Sequence, residues 1–194
     1  MDRILLHICC APCSVAVIEQ LKEEGLSPTG FWYNPNIHPY QEYKARRDTL
    51  IEYAKLIGLP LHIKEEYGLD AFTKAVSPNI EQRCNYCYAV RMEETARAAK
   101  NLGFSAFTTS LTVSPYQNHE LIHKAAQAAA KRHGVAYRPY DFSPRFRQGQ
   151  AKARELALYM QKYCGCIYSE EERYQSKIQK DLNRFEKENF FENK

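Results

Sequence analysis

Seven cysteines carry the chemistry legible in this 194-residue chain, and all seven fall inside Cys9-Cys10-Ala11-Pro12-Cys13, Cys84-Asn85-Tyr86-Cys87 and Cys164-Gly165-Cys166. Thiolates are soft ligands suited to iron and zinc. A [4Fe-4S] cluster takes four of them, so seven leave three for a second site or an exchangeable position. If the middle motif opens a helix, the i and i+3 thiols of Cys84 and Cys87 share one face and can grip one centre. The free amides of that first turn favour an anionic thiolate. Gly165 lets the backbone turn so that Cys164 and Cys166 approach one metal or two adjacent ones. The tandem Cys9-Cys10, when extended, points its side chains apart and suits two neighbouring sites. Two plainer readings compete. Structural zinc uses four cysteines and the same two-residue gap; a dithiol couple at Cys10 and Cys13 would leave the other five unused.

The rest of the chain sets the context. Hydrophobic residues make up 44% of it and charged residues 26%, enough for one well-buried core in a single domain over residues 1–194. No apolar run is long enough to span a bilayer. The opening residues enter a strand-like run without the pattern of a signal peptide, so a cytoplasmic protein with reduced thiols is expected. A net charge of +4 permits an anionic partner such as RNA without requiring one.

Positioning these motifs requires elements that alternate. Strands are expected at about 3–8, 28–33, 61–64, 106–109 and 135–138. Helices are expected at about 14–24, from the loop 34–39 to 57, and at 69–76, 84–102 and 120–132. Two more follow, one from after the 140–148 loop to about Tyr163 and one over 169–194 at the carboxyl end. Glycines at 25, 58, 103 and 134 stand where helices should close. This alternation predicts an α/β fold, a doubly wound and mostly parallel sheet of about five strands with C-terminal helices. Ligands in such sheets bind beyond the carboxyl ends of the strands, and Cys9-Cys10-Ala11-Pro12-Cys13 follows the first strand directly.

Five motifs in sequence order resemble those of the cobalamin-independent epoxyqueuosine reductase family. They are Leu5-Leu6-His7-Ile8-Cys9-Cys10-Ala11-Pro12-Cys13-Ser14, Tyr33-Asn34-Pro35-Asn36-Ile37-His38-Pro39, Arg83-Cys84-Asn85-Tyr86-Cys87-Tyr88, Phe107-Thr108-Thr109-Ser110-Leu111 with Ser114-Pro115-Tyr116-Gln117, and Tyr163-Cys164-Gly165-Cys166-Ile167-Tyr168-Ser169. The resemblance covers nearly the whole chain. It implies the last step of queuosine synthesis, a two-electron, two-proton removal of the epoxide oxygen from epoxyqueuosine at the tRNA wobble position. It also implies a [4Fe-4S] cluster beside a mononuclear metal, expected to be iron, an external electron donor and no membrane partner. Cys84, Cys87, Cys10 and one of Cys164 and Cys166 are assigned to the cluster, and the others to the second metal. The family's fold is similar to the nucleotide-binding α/β domains of tRNA-thiolating enzymes. Cys9-Cys10-Ala11-Pro12-Cys13-Ser14 stands here in place of their glycine-rich phosphate loop, so ATP binding is not expected. A cluster-dependent tRNA thiolation enzyme and a zinc-stabilised RNA-binding module are the alternatives.

Candidate proton donors to the departing oxygen are Tyr116, Asp141 and metal-bound water. Candidate substrate-binding residues are Tyr33, Asn34, Asn36, Gln117, Asn118, Arg145 and Arg147, with amides for base or ribose edges, rings for stacking and guanidinium groups for phosphate. Lys44, Arg46, Arg47, Arg83, Lys152 and Arg154 are further phosphate candidates, each as readily a solvated surface charge. His7 within the first strand reads as a satisfied core histidine; His38 and His119, in loops, are better ligand candidates.

Overall fold

A computed structural model describes residues 2–187 of the chain. Its order is β1 (Asp2–His7), α1 (Ala11–Glu23), β2 (Leu26–Trp32), α2 (Tyr40–Leu56), β3 (Leu61–Ile63), α3 (Leu69–Val76), α4 (Arg83–Asn101), β4 (Ala106–Thr109), α5 (His119–His133), β5 (Ala136–Tyr137), α6 (Phe146–Glu155) and α7 (Ile167–Lys187). The five strands form one sheet in the order β3-β2-β1-β4-β5, and every pairing is parallel. The expected α/β class and strand count are therefore observed. The helix expected over 169–194 is α7, which starts at Ile167; residues 188–194 lie outside the described residues.

Parallel neighbours need crossovers, and these cover both faces of the sheet. Along β1, Ile4 and Leu6 pack with Ile8 against one face, with Val15 and Ile18 of α1, Leu50 and Tyr53 of α2 and Ala153 of α6. Leu5 turns to the other face with Met92 and Ala96 of α4 and Ile122 and Ala126 of α5. The alternation along β1 follows from the two-residue period of a strand. Gly149 allows α6 to lie close on α1, since a Cβ there would stand 3.0 Å from the Ala16 Cβ.

Strand order reverses between β1 and β4, because β2 leaves β1 on one side and β4 joins it on the other. Their carboxyl ends separate the following loops and open a crevice there. His7, at the end of β1, lies beside Thr109 of β4.

One helix departs from the sequence pattern. The apolar spacing after Gln148 runs on to about Tyr163, but α6 ends at Glu155. Ala157 adopts a positive φ of 52°, and the Leu158 N–H folds back to the Ala153 carbonyl at 3.0 Å. No glycine or proline announces that turn. Its consequence is that residues 158–166 run as irregular chain toward the crevice, and Cys164 and Cys166 arrive with them.

Candidate metal centre

All seven thiols are free, and six of them line one cavity of about 620 Å³ at the crevice: Cys9, Cys13, Cys84, Cys87, Cys164 and Cys166. The seventh, Cys10, is buried behind it at the N-cap of α1. The sulfurs of Cys9, Cys10 and Cys13 all lie within 4.8 Å of one another, Cys9 and Cys10 being 3.9 Å apart. This trio can bind a metal ion. It forms because β1 ends at His7 and α1 begins at Ala11, so three residues turn the chain while the first helical turn carries Cys13 back toward Cys9.

Charge within the trio is uneven. Hydrogen bonds from the Cys10 and Cys13 thiols hold Cys9 below the ordinary thiol range. Burial pushes Cys10 up, while hydrogen bonding to Cys10 and Cys9 pushes Cys13 up. Across the cavity, burial raises Cys84 and lifts Cys87 to about 12. A soft metal displaces those protons on binding, so sites that resist ionisation when empty still suit thiolate ligation.

Polar neighbours hold the sulfurs in place. The Gln117 amide donates to Cys164 Sγ at 3.2 Å and accepts from the Tyr88 hydroxyl at 2.7 Å. Gln161 donates to Cys13 Sγ at 3.2 Å. The Cys9 N–H donates to Ser110 Oγ, tying the end of β1 to the turn after β4. Arg46 is 2% exposed, pairs with Glu42 at 2.6 Å and donates to the carbonyls of Tyr163 and Cys164, both at 2.9 Å. It pins the Cys-Gly-Cys loop, its donors committed to Glu42 and to those two carbonyls.

The expected substrate residues divide. Tyr116, Asn36 and Gln117 line the cavity; Tyr33, Asn34, Asn118, Arg145, Arg147 and Asp141 do not. The Tyr33 hydroxyl donates to Glu66 at 3.2 Å. Asn34 is buried, donating to the Ile8 carbonyl at 2.9 Å and accepting from Arg91 at 3.3 Å. Asn118 caps α5 by accepting the Leu121 N–H, and Arg145 pairs with Glu23 at 2.6 Å. Asp141 accepts the Ser143 N–H at 2.9 Å, and that turn holds its carboxyl below the usual range. Asn36 is 1% exposed with its Oδ1 unpartnered, whereas Tyr116, 86% exposed, stands at the mouth edge-on to Phe146.

Among the histidines, His7 is a core residue, its Nε2–H donating to the Tyr33 carbonyl and its Nδ1 facing Thr109 Oγ1 at 2.9 Å. His38 is buried against Phe72 and donates to the Pro35 carbonyl, and His119 donates to the Ser114 carbonyl. None of the three lines the cavity. Lys44, Arg47 and Lys152 are engaged with Asp48, Glu65 and Glu19 at the surface. Sequence reasoning passed over Arg91, Gln161, Lys162 and Arg173, which do line it. Only the Cys-x-x-Cys spacing could have pointed to Arg91, which stands one helical turn after Cys87 and so on the same face.

Fold and site together define a doubly wound α/β protein with a thiol-lined cavity at its topological switch point. Within that class, residues 4–172 match the family model described as epoxyqueuosine reductase QueH, and the chain belongs to that family. It is 36% identical over 172 residues to the epoxyqueuosine reductase QueH of Dehalococcoides mccartyi, covering 89% of this chain and 94% of that one. Identity to the protein of the same name from Thermotoga maritima is 32% over 187 residues, 89% and 93% of the two chains. The U34-tRNA thiolase NcsA from Methanococcus maripaludis, solved with its [4Fe-4S] cluster, shares the fold with a TM-score of 0.56 over 96% of this chain and 67% of that one, at 15% identity.

Proposed function

We propose that this protein reduces the epoxide of epoxyqueuosine in the wobble nucleotide of a tRNA anticodon to the alkene of queuosine, at the thiol-lined cavity. Two electrons and two protons enter, both carbon–oxygen bonds of the epoxide break, and the oxygen leaves as water. The observation that carries this reading is the convergence of seven free thiols at the switch point of a chain in the epoxyqueuosine reductase family.

The donor set fits the group proposed. Seven thiols exceed one tetrahedral zinc and match four ligands for a [4Fe-4S] cluster with three beside it. The proximity of Cys9, Cys10 and Cys13 supports assigning that trio to one centre and Cys84, Cys87, Cys164 and Cys166 to the other, in place of the sequence-based allocation that put Cys10 with Cys84 and Cys87. A cluster supplies electrons singly from an external donor, and an adjacent metal supplies a Lewis acid for the epoxide oxygen.

The chain's own residues perform the rest. Tyr116 and Phe146 present aromatic faces at the mouth, on which an extruded base can stack. Arg83, Lys162 and Arg173 border the same cavity and suit the phosphates flanking that nucleotide. Asn36 offers its unpaired oxygen to a ribose or cyclopentene hydroxyl. Of the two side-chain candidate acids, the position of Tyr116 at the cavity supports its hydroxyl as the proton donor to the departing oxygen, whereas Asp141 is engaged in its own turn. Pro12 in the first turn of α1 removes an amide that a nucleotide phosphate would use, in keeping with chemistry without ATP.

Reduced, anaerobically purified protein incubated with tRNA containing epoxyqueuosine should yield a nucleoside lighter by one oxygen in mass spectrometry. Absence of that product under reducing conditions rejects the reductase. Iron and sulfide analysis should find both elements; a colourless zinc protein would overturn the cluster. Cys84→Ser should bleach the cluster's visible absorption, and an unchanged spectrum would remove Cys84 from the ligand set.

A further inference from the structure

Arg91 stands on α4 one turn beyond Cys87, is 2% exposed, and still forms part of the cavity wall. Its Nε–H donates to the Cys87 carbonyl and its Nη1–H to Asn34 Oδ1, both at 3.3 Å, while Nη2 has no hydrogen-bond partner. The other buried arginine, Arg46, is neutralised by Glu42 at 2.6 Å. Among the described residues, no carboxylate lies in ion-pair range of Arg91. A guanidinium does not discharge on burial, and a buried charge without a counter-charge costs several kcal/mol. Neither an amide oxygen nor a carbonyl supplies net charge.

The groups that can supply it surround Arg91. Cys87, Cys9 and Cys164 line the same cavity and act on it electrostatically, and the Tyr88 ring lies 6.0 Å away. The Tyr88 hydroxyl is committed to Gln117, whereas the thiols give up their protons when a soft metal binds, which leaves the sulfurs. Asn34 fixes the guanidinium from the other side and is itself anchored to the Ile8 carbonyl at the root of the cysteine loop.

We propose that Arg91 is the fixed counter-ion of the thiolate set, a positioning residue that keeps the centre held by these cysteines reducible. The proposal rests on the reading that a cluster binds here. Each added electron makes a thiolate-ligated centre more negative, and a cation held nearby in a water-poor site favours the reduced form.

The test compares full-length wild type, Arg91→Met and Arg91→Lys after anaerobic reconstitution, by iron and sulfide count and redox titration of the visible spectrum. Arg91→Met removes the charge and nearly keeps the length, an exchange that often leaves a buried unpaired site no less stable. Its reduction equilibrium should shift toward the oxidised form by about tenfold or more, about 59 mV for one electron, at wild-type iron content. Arg91→Lys, which keeps the charge, should stay within about threefold of wild type. A fully loaded Arg91→Met protein with an unshifted equilibrium overturns the proposal. If Arg91→Met does not fold or load, Arg91→Lys decides. Near-wild-type behaviour supports the charge, and a tenfold shift assigns the effect to the missing guanidinium hydrogen bonds and overturns it. Wild-type protein without iron and sulfide would sink the cofactor reading first and this proposal with it, so the two failures are told apart by the wild-type count.

Discussion

At the scale of single residues, the cavity separates groups that can act on a substrate from groups that hold the frame. Tyr116 is mostly exposed, and among the described residues its hydroxyl has no partner to compete with a substrate oxygen. Tyr116→Phe should lower kcat by about 10²-fold with little change in KM, the range for loss of a general acid. A raised KM at unchanged kcat, in that variant or in Tyr116→Ala, would assign the side chain to stacking alone. His38 belongs to the frame. Burial lowers its pKa to about 4, whereas in the unfolded chain it titrates near 6.5. Between those values the unfolded state takes up a proton that the folded state refuses, so stability is lost as pH falls from about 6.5 to about 4. The contribution of His38 to the slope should be at most about 1.4 kcal/mol per pH unit. Melting of the metal-free protein across that range should show it, and His38→Gln should make the profile shallower by that amount, with the buried His7, its pKa lowered to about 3, still contributing; parallel profiles would clear His38.

At the scale of elements, the Cys164-Gly165-Cys166 loop is the piece whose geometry is held from outside. The Gly165 carbonyl accepts the His38 N–H at 2.8 Å, and its own N–H donates to Ser169 Oγ at 3.1 Å. Its φ of +150° is one that residues with a side chain rarely adopt, and a Cβ would come within 3.3 Å of Ile37 and 3.4 Å of Arg46 Nη1. Gly165→Ala should therefore cost about 1–3 kcal/mol and reduce iron content, since the loop must move to relieve both close approaches. Thermal melting with an iron count checks this. A variant with unchanged Tm and full iron would show that the loop shifts freely. Arg46 supports the same loop by a different route, because its buried pair with Glu42 leaves two N–H groups free for the Tyr163 and Cys164 carbonyls.

At the scale of the whole molecule, three segments far apart in sequence meet where the sheet's strand order reverses. Around that point Arg83, Lys162 and Arg173 form a cationic border, though Arg83 is already paired with Glu172 at 2.6 Å. Binding of tRNA should weaken with salt, and replacing Lys162 and Arg173 by Gln should reduce the slope of log K against log salt by about 0.7–0.9 for each phosphate that is no longer neutralised. Filter binding or fluorescence anisotropy over a salt series checks it. An unchanged slope would place the phosphate track on another face. Among the described residues no helix is long and apolar enough to cross a membrane.

What the sequence determined alone was where the candidate thiol ligands lie and the class of fold. Thiols confined to three short motifs point to metal or redox chemistry, and strand and helix periods alternating along the chain leave a parallel sheet as the consistent arrangement. Local signals also placed elements such as α3 and β4 at their observed bounds, because apolar period and flanking turn residues agree there. Tertiary structure decided the rest. The early end of α6 rests on Ala157 taking a positive φ, which the alanine side chain disfavours and which the folded-back N–H groups of Ala157 and Leu158 hold by closing onto the Arg154 and Ala153 carbonyls. Asn34 was legible as a polar loop residue, yet its role as an anchor for Arg91 depends on the loop after β2 and α4 meeting across 57 residues of sequence. Spacing can show that a residue is able to bind metal, charge or base, but only the converged chain fixes which neighbour satisfies it, because burial and counter-charge belong to the site and not to the residue.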